Sequence, residues 1–250
     1  MQFSRASVLE GKVCLGTWLN LGSPLSAEIA GLAGFEWVLI DREHGSGDER
    51  DLSMQILAAQ CGGAASIVRV SGTDPAEIKH ALDWGPAGIM VPSVDTEAQA
   101  QQILRAVRIP PLGDRGAASS TRASRYGFGY QEYLVNANET LVTMVQIESA
   151  VAYANRGRIA AVDGADVLFV GPTDLSISLG VSDSSAEFID AVGNISLAAR
   201  EAGKAAGILA RNPRQASTYR SLGYTVIAME SDRGLLAKGF RGAVEAFRTV

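Results

Sequence analysis

Short apolar segments alternate with amphipathic segments along the whole chain, and this alternation constrains the fold more than any other feature. The apolar segments are rich in β-branched residues and almost continuously apolar, which is typical of parallel strands covered by helices. The segments between them have helical periodicity. The predicted strands are 13–18, 36–41, 66–70, 87–91, 141–147, 166–170, 205–209 and 224–229, and the predicted helices are 24–33, 49–60, 74–84, 95–107, 149–162, 185–202, 212–222 and 231–247.

Eight strand–helix units in 250 residues predict an α/β fold, a (β/α)8 TIM barrel that forms a single domain over 1–250. The alternative is an open doubly wound sheet, but that fold requires a glycine-rich phosphate-binding motif after its first strand, and the chain has none there. Segment 109–130 interrupts the alternation. It is rich in Gly, Ser and Arg and too long for a passive connection, so we predict a functional loop.

Composition argues against several classes of protein. The chain carries 22 Lys and Arg against 27 Asp and Glu, a net charge of −5 without a basic cluster, which argues against a nucleic-acid partner. No apolar run approaches the roughly 20 residues that span a bilayer, and the N-terminus lacks an apolar signal core. We therefore expect a cytoplasmic protein without a membrane partner. Cys14 and Cys61 lack CxxC spacing and are predicted to be free thiols.

Polar and ionisable side chains are concentrated where the predicted strands end, which is the face that carries the active site in such barrels. Glu148 and Asp174 follow successive strands, so their carboxylates can converge on one hard divalent cation such as Mg²⁺ or Mn²⁺. With only two histidines in the chain, any metal must rely on carboxylates. The alternative is that Glu148 opens one helix and Asp174 caps another, each serving the backbone.

Three further side chains invite a chemical interpretation. His44 follows the second strand in a glycine-containing turn and could move a proton near neutral pH, or it is an ordinary loop histidine. His80, within a predicted helix, is expected to face solvent. Arg69 ends an apolar strand and must meet an anion, either a protein carboxylate or a substrate carboxylate and its enolate.

Two aspartates are candidates to orient His44 by accepting its second ring proton, namely Asp41 and Asp83. Asp83 lies at a helix end, where the dipole disfavours its charge, and is otherwise a solvated carboxylate. The turn Gly171–Asp174 precedes a predicted short helix. Its backbone N–H groups could hold a substrate carboxylate, or the turn could serve only as a strand-to-helix connection.

With these residues identified, the chain resembles the HpcH/HpaI aldolase family, the metal-dependent pyruvate aldolases of the phosphoenolpyruvate/pyruvate barrel superfamily. The combination of matching segments is specific, although each segment alone is weak. They are GTWLNLGSPLSAEIAGLAGFEWVLIDREHG (16–45), VRVSGTDPAEIKHALDWGPAGIMVP (68–92), GDRGAASSTRASRYG (113–127), VQIES (145–149), DVLFVGPTDLSISLG (166–180) and GKAAGIL (203–209).

The resemblance implies roles for the strand-end residues. Glu148 and Asp174 would be the ligands of a divalent cation, Mg²⁺, Mn²⁺ or Co²⁺, and His44 would be the base acting with a metal-bound water. Arg69 would bind the pyruvate oxygen and stabilise the enolate, while Asp41 and Asp83 would support His44. The further residues implied to contact substrate are Gln146, beside the metal, Gly171, Thr173 and Asp174, through backbone N–H groups to the pyruvate carboxylate, and Leu209, at the aldehyde end.

The resemblance also implies a reaction and an assembly. The reaction is the reversible cleavage of a 4-hydroxy-2-oxo acid to pyruvate and an aldehyde, so the partners are small molecules. The assembly is a homo-oligomer, a hexamer built as a trimer of dimers or a dimer of trimers, with helix 231–247 exchanged between subunits. The four lysines, predicted at strand starts or within helices, argue against a Schiff-base aldolase. They are Lys12, Lys79, Lys204 and Lys238.

Departures from the family pattern concern the aldehyde rather than the reaction. Thr173 stands where alanine is frequent, and Glu230 and Asp232 stand where relatives often carry a Gly-Val-Asp run, so these positions are expected to alter the aldehyde pocket. The alternatives are a citryl- or malyl-CoA-type lyase, an oxaloacetate decarboxylase of the macrophomate synthase type, and a non-catalytic binding barrel. The absence of a basic patch for CoA argues against the first, and the complete set of polar strand ends argues against the last.

Overall fold

Eight parallel strands pair in chain order, and the last strand pairs with the first, so the sheet closes into a barrel. This computed structural model describes residues 3–249. The predicted (β/α)8 TIM barrel is confirmed. The strands are β1 (Cys14–Leu19), β2 (Trp37–Asp41), β3 (Ala65–Arg69), β4 (Gly88–Val91), β5 (Val142–Ile147), β6 (Val167–Val170), β7 (Ala205–Ala210) and β8 (Val226–Ser231).

The helices begin where capping side chains predict. Asp74 accepts from the N–H of Ala76 at 2.9 Å, Asn212 accepts from Gln215 at 2.9 Å, and proline follows each cap. The helices are α1 (Arg5–Leu9), α2 (Pro24–Leu32), α3 (Glu49–Cys61), α4 (Pro75–Asp83), α5 (Glu97–Val107), α6 (Tyr130–Thr140), α7 (Ala150–Ala160), α8 (Pro172–Leu179), α9 (Ala186–Glu201), α10 (Pro213–Ser221) and α11 (Asp232–Arg248), with a 3₁₀ turn at Arg125–Gly127.

Two apolar clusters hold the barrel together. One fills the barrel interior and contains Trp18, Trp37 and Phe169. The larger cluster lies between the outer face of the strands and the helices. Because each strand is apolar on both faces, it contributes to both clusters, which explains the continuous apolar runs in the sequence.

The N-terminal end of the barrel is covered by the segment that contains α1. Phe3 packs against Trp37 with ring centroids 5.9 Å apart, and Nε of Arg5 donates to Asp166 at 2.8 Å. Trp37 begins β2 and Asp166 precedes β6, so these contacts mark the N-terminal strand ends. The opposite end, where the strands terminate, is the end that carries the polar residues.

Strand β8 begins two residues later than predicted. Tyr224 is buried outside the barrel, where its ring lies 5.9 Å from that of Tyr219 and its hydroxyl donates to the carbonyl of Val192 at 2.8 Å. These contacts hold Tyr224 in the turn after α10. The aromatic ring of Tyr224 therefore packs in the cluster between the strands and the helices and is not part of β8.

Helix α11 differs from the other helices of the barrel because none of its described residues is buried. Its apolar side chains Leu236, Phe240 and Val244 recur every four residues and form one exposed stripe. Helix α2 exposes a second apolar face with Leu25 and Ile29. Among residues 3–249, no helix combines the length and the apolar character needed to cross a bilayer.

The segment 109–130 lies at the N-terminal end of the barrel in this chain. Arg122 donates to the carbonyl of Trp84 at 2.7 Å, and the N–H of Ala123 donates to the carbonyl of Asp83 at 3.0 Å. Both partners lie at the end of α4, just before β4 begins. The predicted functional loop is therefore far from the polar strand ends of its own subunit.

Candidate active site

The ends of β2 and β3 are joined by a buried ion pair. Asp41 and Arg69 are cross-strand neighbours in the parallel register. Nε of Arg69 lies 3.0 Å from Oδ1 of Asp41, and Nη2 lies 2.8 Å from Oδ2. Asn20 also donates to Oδ2, at 2.5 Å. The sequence left two possible partners for Arg69, a protein carboxylate or a substrate anion. The structure shows a protein carboxylate.

Glu43 is the second carboxylate on Arg69, with Nη1 and Oε2 2.6 Å apart. Burial raises the pKa of Glu43, the Arg69 guanidinium opposes that shift, and the charge of Glu148 adds to it. Glu43 therefore lies within electrostatic range of both Arg69 and Glu148. A guanidinium has five N–H groups, and the hydrogen bonds to Asp41 occupy two of them, so Arg69 keeps N–H groups for a further oxygen.

His44 stands exposed at the rim of this cluster. Its side chain is 69% exposed, and Nε2 lies 3.9 Å from Oε2 of Glu43. Asp41 accepts from the backbone N–H of His44 at 3.2 Å, and within residues 3–249 the imidazole ring makes no hydrogen bond to Asp41. Arg69 and Asn20 contact the oxygens of Asp41 here, and the role of Asp41 in orienting the ring stays a prediction.

Asp83 lies at the other end of the barrel. Helix α4 starts after β3 at the polar end and runs back about 13 Å before it ends at Asp83. Burial raises the pKa of Asp83, and Arg115 and Lys79 oppose the shift. Asp83 and His44 of one chain are therefore too far apart for Asp83 to orient the imidazole.

Glu148 follows β5 and is held by three donors. Ser93 donates to Oε1 through its N–H at 2.7 Å and its hydroxyl at 3.1 Å, and the amide of Gln146 donates to Oε2. Ser93 adopts a left-handed backbone (φ 56°), which turns its N–H toward the carboxylate. Ser93 was not singled out in the sequence, although it follows β4 as the other site residues follow their strands.

The turn after β6 approaches Glu148 closely. A Cβ on Gly171 would lie 2.8 Å from Oε2 of Glu148 and 2.7 Å from Nε2 of Gln146, so a larger residue would displace the ends of these two side chains. The N–H of Gly171 donates to the carbonyl of Ile147 at 3.3 Å, which corrects the expectation that it is available to substrate. The N–H groups of Thr173 and Asp174, in the first turn of α8, lack the acceptors of a helix interior.

The donor set at this end fits a hard divalent cation. Glu148 and Asp174 offer carboxylate oxygens, the ligands that Mg²⁺ and Mn²⁺ prefer. The buried side-chain amide oxygen of Gln146, Oε1, has no partner within residues 3–249, and buried polar atoms without a partner are rare. No group of three or more His, Cys, Asp or Glu side chains that could hold a metal occurs in the same range, so substrate and water must supply the remaining ligands.

The side of the barrel mouth that contains Leu209 is formed by β7, β8 and α11. Leu209 is half-buried and packs against the interior cluster. Lys238 lies within α11, as predicted, and its ammonium group pairs with Glu230 at the end of β8.

Comparisons with known proteins agree with this geometry. A family model described as HpcH/HpaI aldolase/citrate lyase matches residues 15–239. A hydroxypyruvate/pyruvate aldolase of Deinococcus radiodurans is 41% identical over 245 residues, which cover 95% of this chain and 87% of that protein. A 2-dehydro-3,6-dideoxy-6-sulfogluconate aldolase of Pseudomonas putida is 41% identical over 228 residues, which cover 89% and 88%.

A solved structure gives the same result. The crystal structure of an HpcH/HpaI aldolase/citrate lyase family protein from Burkholderia cenocepacia superposes with a TM-score of 0.93 at 35% identity, and the match covers 98% of each chain. The family model covers most of this chain, and the relatives are similar over nearly their whole length. The chain belongs to the HpcH/HpaI aldolase/citrate lyase family.

Proposed function

We propose that the chain is a divalent-metal-dependent aldolase, a carbon–carbon lyase that cleaves 4-hydroxy-2-oxo acids to pyruvate and an aldehyde and catalyses the reverse addition. The observation that carries the proposal is the meeting of Arg69, Glu43 and Glu148 at one barrel end, beside the open first turn of α8. The relatives described above are named as aldolases, which favours this reaction over a CoA-ester lyase or a decarboxylase.

The residues divide the reaction between them. The N–H groups of Thr173 and Asp174 bind the carboxylate of the 2-oxo acid, and Arg69 donates to the C2 carbonyl oxygen. His44 accepts the proton of the 4-hydroxyl group as the C3–C4 bond breaks. The electron pair of that bond passes to C3 and C2, and Arg69 stabilises the negative charge that develops on the enolate oxygen. Protonation at C3 then gives pyruvate.

Glu148 and Asp174 would hold the cation, with Gln146 beside it. A bound Mg²⁺, Mn²⁺ or Co²⁺ would supply Lewis-acid chemistry to the 2-oxo acid. The tight position of Gly171 keeps the carboxylate of Glu148 and the amide of Gln146 together.

The test is a pyruvate-release screen over several 4-hydroxy-2-oxo acids, before and after chelation and with each cation added back. Activity should disappear with the chelator and return with the cation. Glu148→Gln should lose the response to the cation, whereas the exposed control Glu97→Gln should keep it. Full turnover of the metal-free protein, or borohydride trapping of pyruvate on a lysine, would contradict the proposal.

We propose also that the 1–250 single-domain barrel assembles as a homo-oligomer, a hexamer, with helix 231–247 exchanged between subunits. The exposed apolar stripe of α11 and the exposed apolar face of α2 support this assembly. In the same assembly, Asp83 would reach His44 only from a neighbouring subunit. Sedimentation analysis should give six chains for the parent protein and fewer for Phe240→Glu, and a monomeric parent would contradict the assembly.

A further inference from the structure

Arg211 occupies the mouth of the barrel, directly above the position expected to border the aldehyde. A Cβ on Gly207 would lie 2.4 Å from the ring of Phe169, and Leu209 packs against the interior cluster, so this row of β7 faces inward. Strand β7 ends at Ala210, and Arg211 is the first residue after it, two positions beyond Leu209. Its Nη2 donates to Oγ1 of Thr173 at 2.5 Å, which ties it to the turn that opens α8.

The guanidinium of Arg211 is exposed and has no carboxylate partner within residues 3–249. Its only side-chain hydrogen bond in that range is the one to the neutral hydroxyl of Thr173. Arg233, at the start of α11, resembles it in this respect, since its Nη2 donates to the carbonyl of Asn20 at 3.0 Å and to the hydroxyl of Ser46 at 3.2 Å. Two positive charges at this rim therefore meet only neutral oxygens.

The acidic side chains nearby are already engaged. Oδ1 of Asp232 accepts from the N–H of Asn20 at 2.8 Å and from the N–H of Arg233 at 2.7 Å. Glu230 pairs with Lys238, and its left-handed backbone (φ 59°) directs its carbonyl to the hydroxyl of buried Thr17 at 3.3 Å. Glu230 is therefore paired with a cation, whereas Asp232 is hydrogen-bonded but keeps its charge. Three positive side chains (Arg211, Arg233 and Lys238) stand against these two carboxylates, so the net charge of this group is positive.

We propose that Arg211 is a specificity-determining residue that binds an anionic group on the aldehyde. The proposal rests on the aldolase function proposed above and names the class of its second substrate, short aldehydes that carry a carboxylate, sulfonate or phosphate. Arg211 lies past the end of β7, beside Thr173, so it would meet a group farther from the barrel interior than the side chain of Leu209 does. The pyruvate carboxylate has donors of its own in the N–H groups of Thr173 and Asp174.

The experiment compares matched aldehydes in the addition direction with saturating pyruvate. The pairs are succinic semialdehyde with its methyl ester, and glyceraldehyde 3-phosphate with glyceraldehyde. The parent should prefer the anionic member of each pair. Arg211→Gln should lower kcat/KM for the anionic member by about ten- to a hundred-fold, the usual range for a hydrogen bond to a charged group, and should change the neutral member little. Arg211→Lys should retain part of the preference.

A charge-matched control separates local recognition from net charge. Arg220→Gln removes the same charge from the last turn of α10, at the other end of the barrel, and should leave every ratio unchanged. The proposal is wrong if the parent shows no preference, if Arg211→Gln lowers both members of a pair equally, or if the variant raises the pyruvate KM instead. If the parent adds pyruvate to none of the aldehydes, the proposed aldolase function itself fails.

Discussion

The guanidinium of Arg69 and the carboxylate of Asp41 form a two-point contact in which both side chains are almost completely buried. The ring of Trp18 lies beneath the guanidinium, 4.3 Å from its central carbon to the ring centroid. These contacts fix the orientation of the guanidinium plane. The direction of its remaining N–H groups is therefore set by the protein rather than by solvent. Arg69 is thereby pre-organised for an oxygen that gains charge during the reaction.

Replacing Arg69 should affect both chemistry and stability. Arg69→Ala should reduce the exchange of pyruvate C3 protons with solvent by about 10²–10³-fold, the usual effect of removing a donor to a developing oxyanion. It should also lower the free energy of unfolding by about 3–5 kcal/mol, because Asp41 is left buried without its partner. Proton exchange is measured by NMR in D₂O, and stability by urea unfolding.

Arg69→Lys keeps the charge but loses the planar fork, so it distinguishes the two effects. It should fold and still show slow exchange. Near-parental exchange in the folded Arg69→Lys and Arg69→Ala proteins would contradict the assignment of the enolate to Arg69.

Removing the imidazole of His44 should affect catalysis alone. His44→Ala should lower kcat for retro-aldol cleavage by about 10²–10⁴-fold, the range for a positioned acid–base group. Because the side chain is 69% exposed, the free energy of unfolding should change by less than about 0.5 kcal/mol. The only other histidine provides the matched control, and His80→Ala should retain activity. A loss below about tenfold in His44→Ala would exclude it as the base.

Shortening Leu209 should change the choice of aldehyde without changing the use of pyruvate. Leu209→Ala should shift kcat/KM ratios between short and long apolar aldehydes by about ten- to two-hundred-fold, as expected for a side chain that borders an apolar pocket. The ratios are measured in the addition direction at saturating pyruvate. If they stay constant while the pyruvate KM rises, Leu209 belongs to the pyruvate pocket or to the core.

Tyr219 should make the fold sensitive to alkali. Burial raises the pKa of Tyr219 to about 12, whereas the unfolded chain titrates near 10. Between these values the unfolded state loses its proton first, so stability falls as pH rises through this window. Tyr219→Phe should remove more than about 1 kcal/mol of that loss at a pH of about 11, measured by urea unfolding. Tyr126→Phe, at an exposed tyrosine, is the control, and parallel curves for parent and Tyr219→Phe would contradict the assignment.

The barrel was predictable because each strand is apolar on both faces, a pattern that few other folds require. Helix α6 was missed because Ala137 is its only buried residue, so it has no apolar stripe to detect. Helix α1 has five residues, too few to show a helical period. Elements held by few apolar contacts leave little trace in a single sequence.

The candidate site residues could be identified from the sequence because polar side chains follow apolar strands. The contacts between these residues could not be predicted. Asp41 was predicted to face His44, three residues away, yet it contacts Arg69, which the parallel register places beside it. Register depends on how two segments that are distant in the sequence align, so it cannot be predicted from the spacing of residues along the chain. The position of Asp83, by contrast, follows from the topology, because every helix of such a barrel returns to the N-terminal end.

The two sides of the barrel mouth differ in how freely they can vary. Gln146 is 1% exposed and Gly171 has no room for a side chain, so substitutions there disturb packed neighbours. Thr173 and Arg211 are exposed and touch few groups, and substitutions at such positions usually change stability by less than about 0.5 kcal/mol. The barrel can therefore tolerate sequence change beside β7 at little cost in stability, whereas the side beside β5 and β6 is constrained by its own packing.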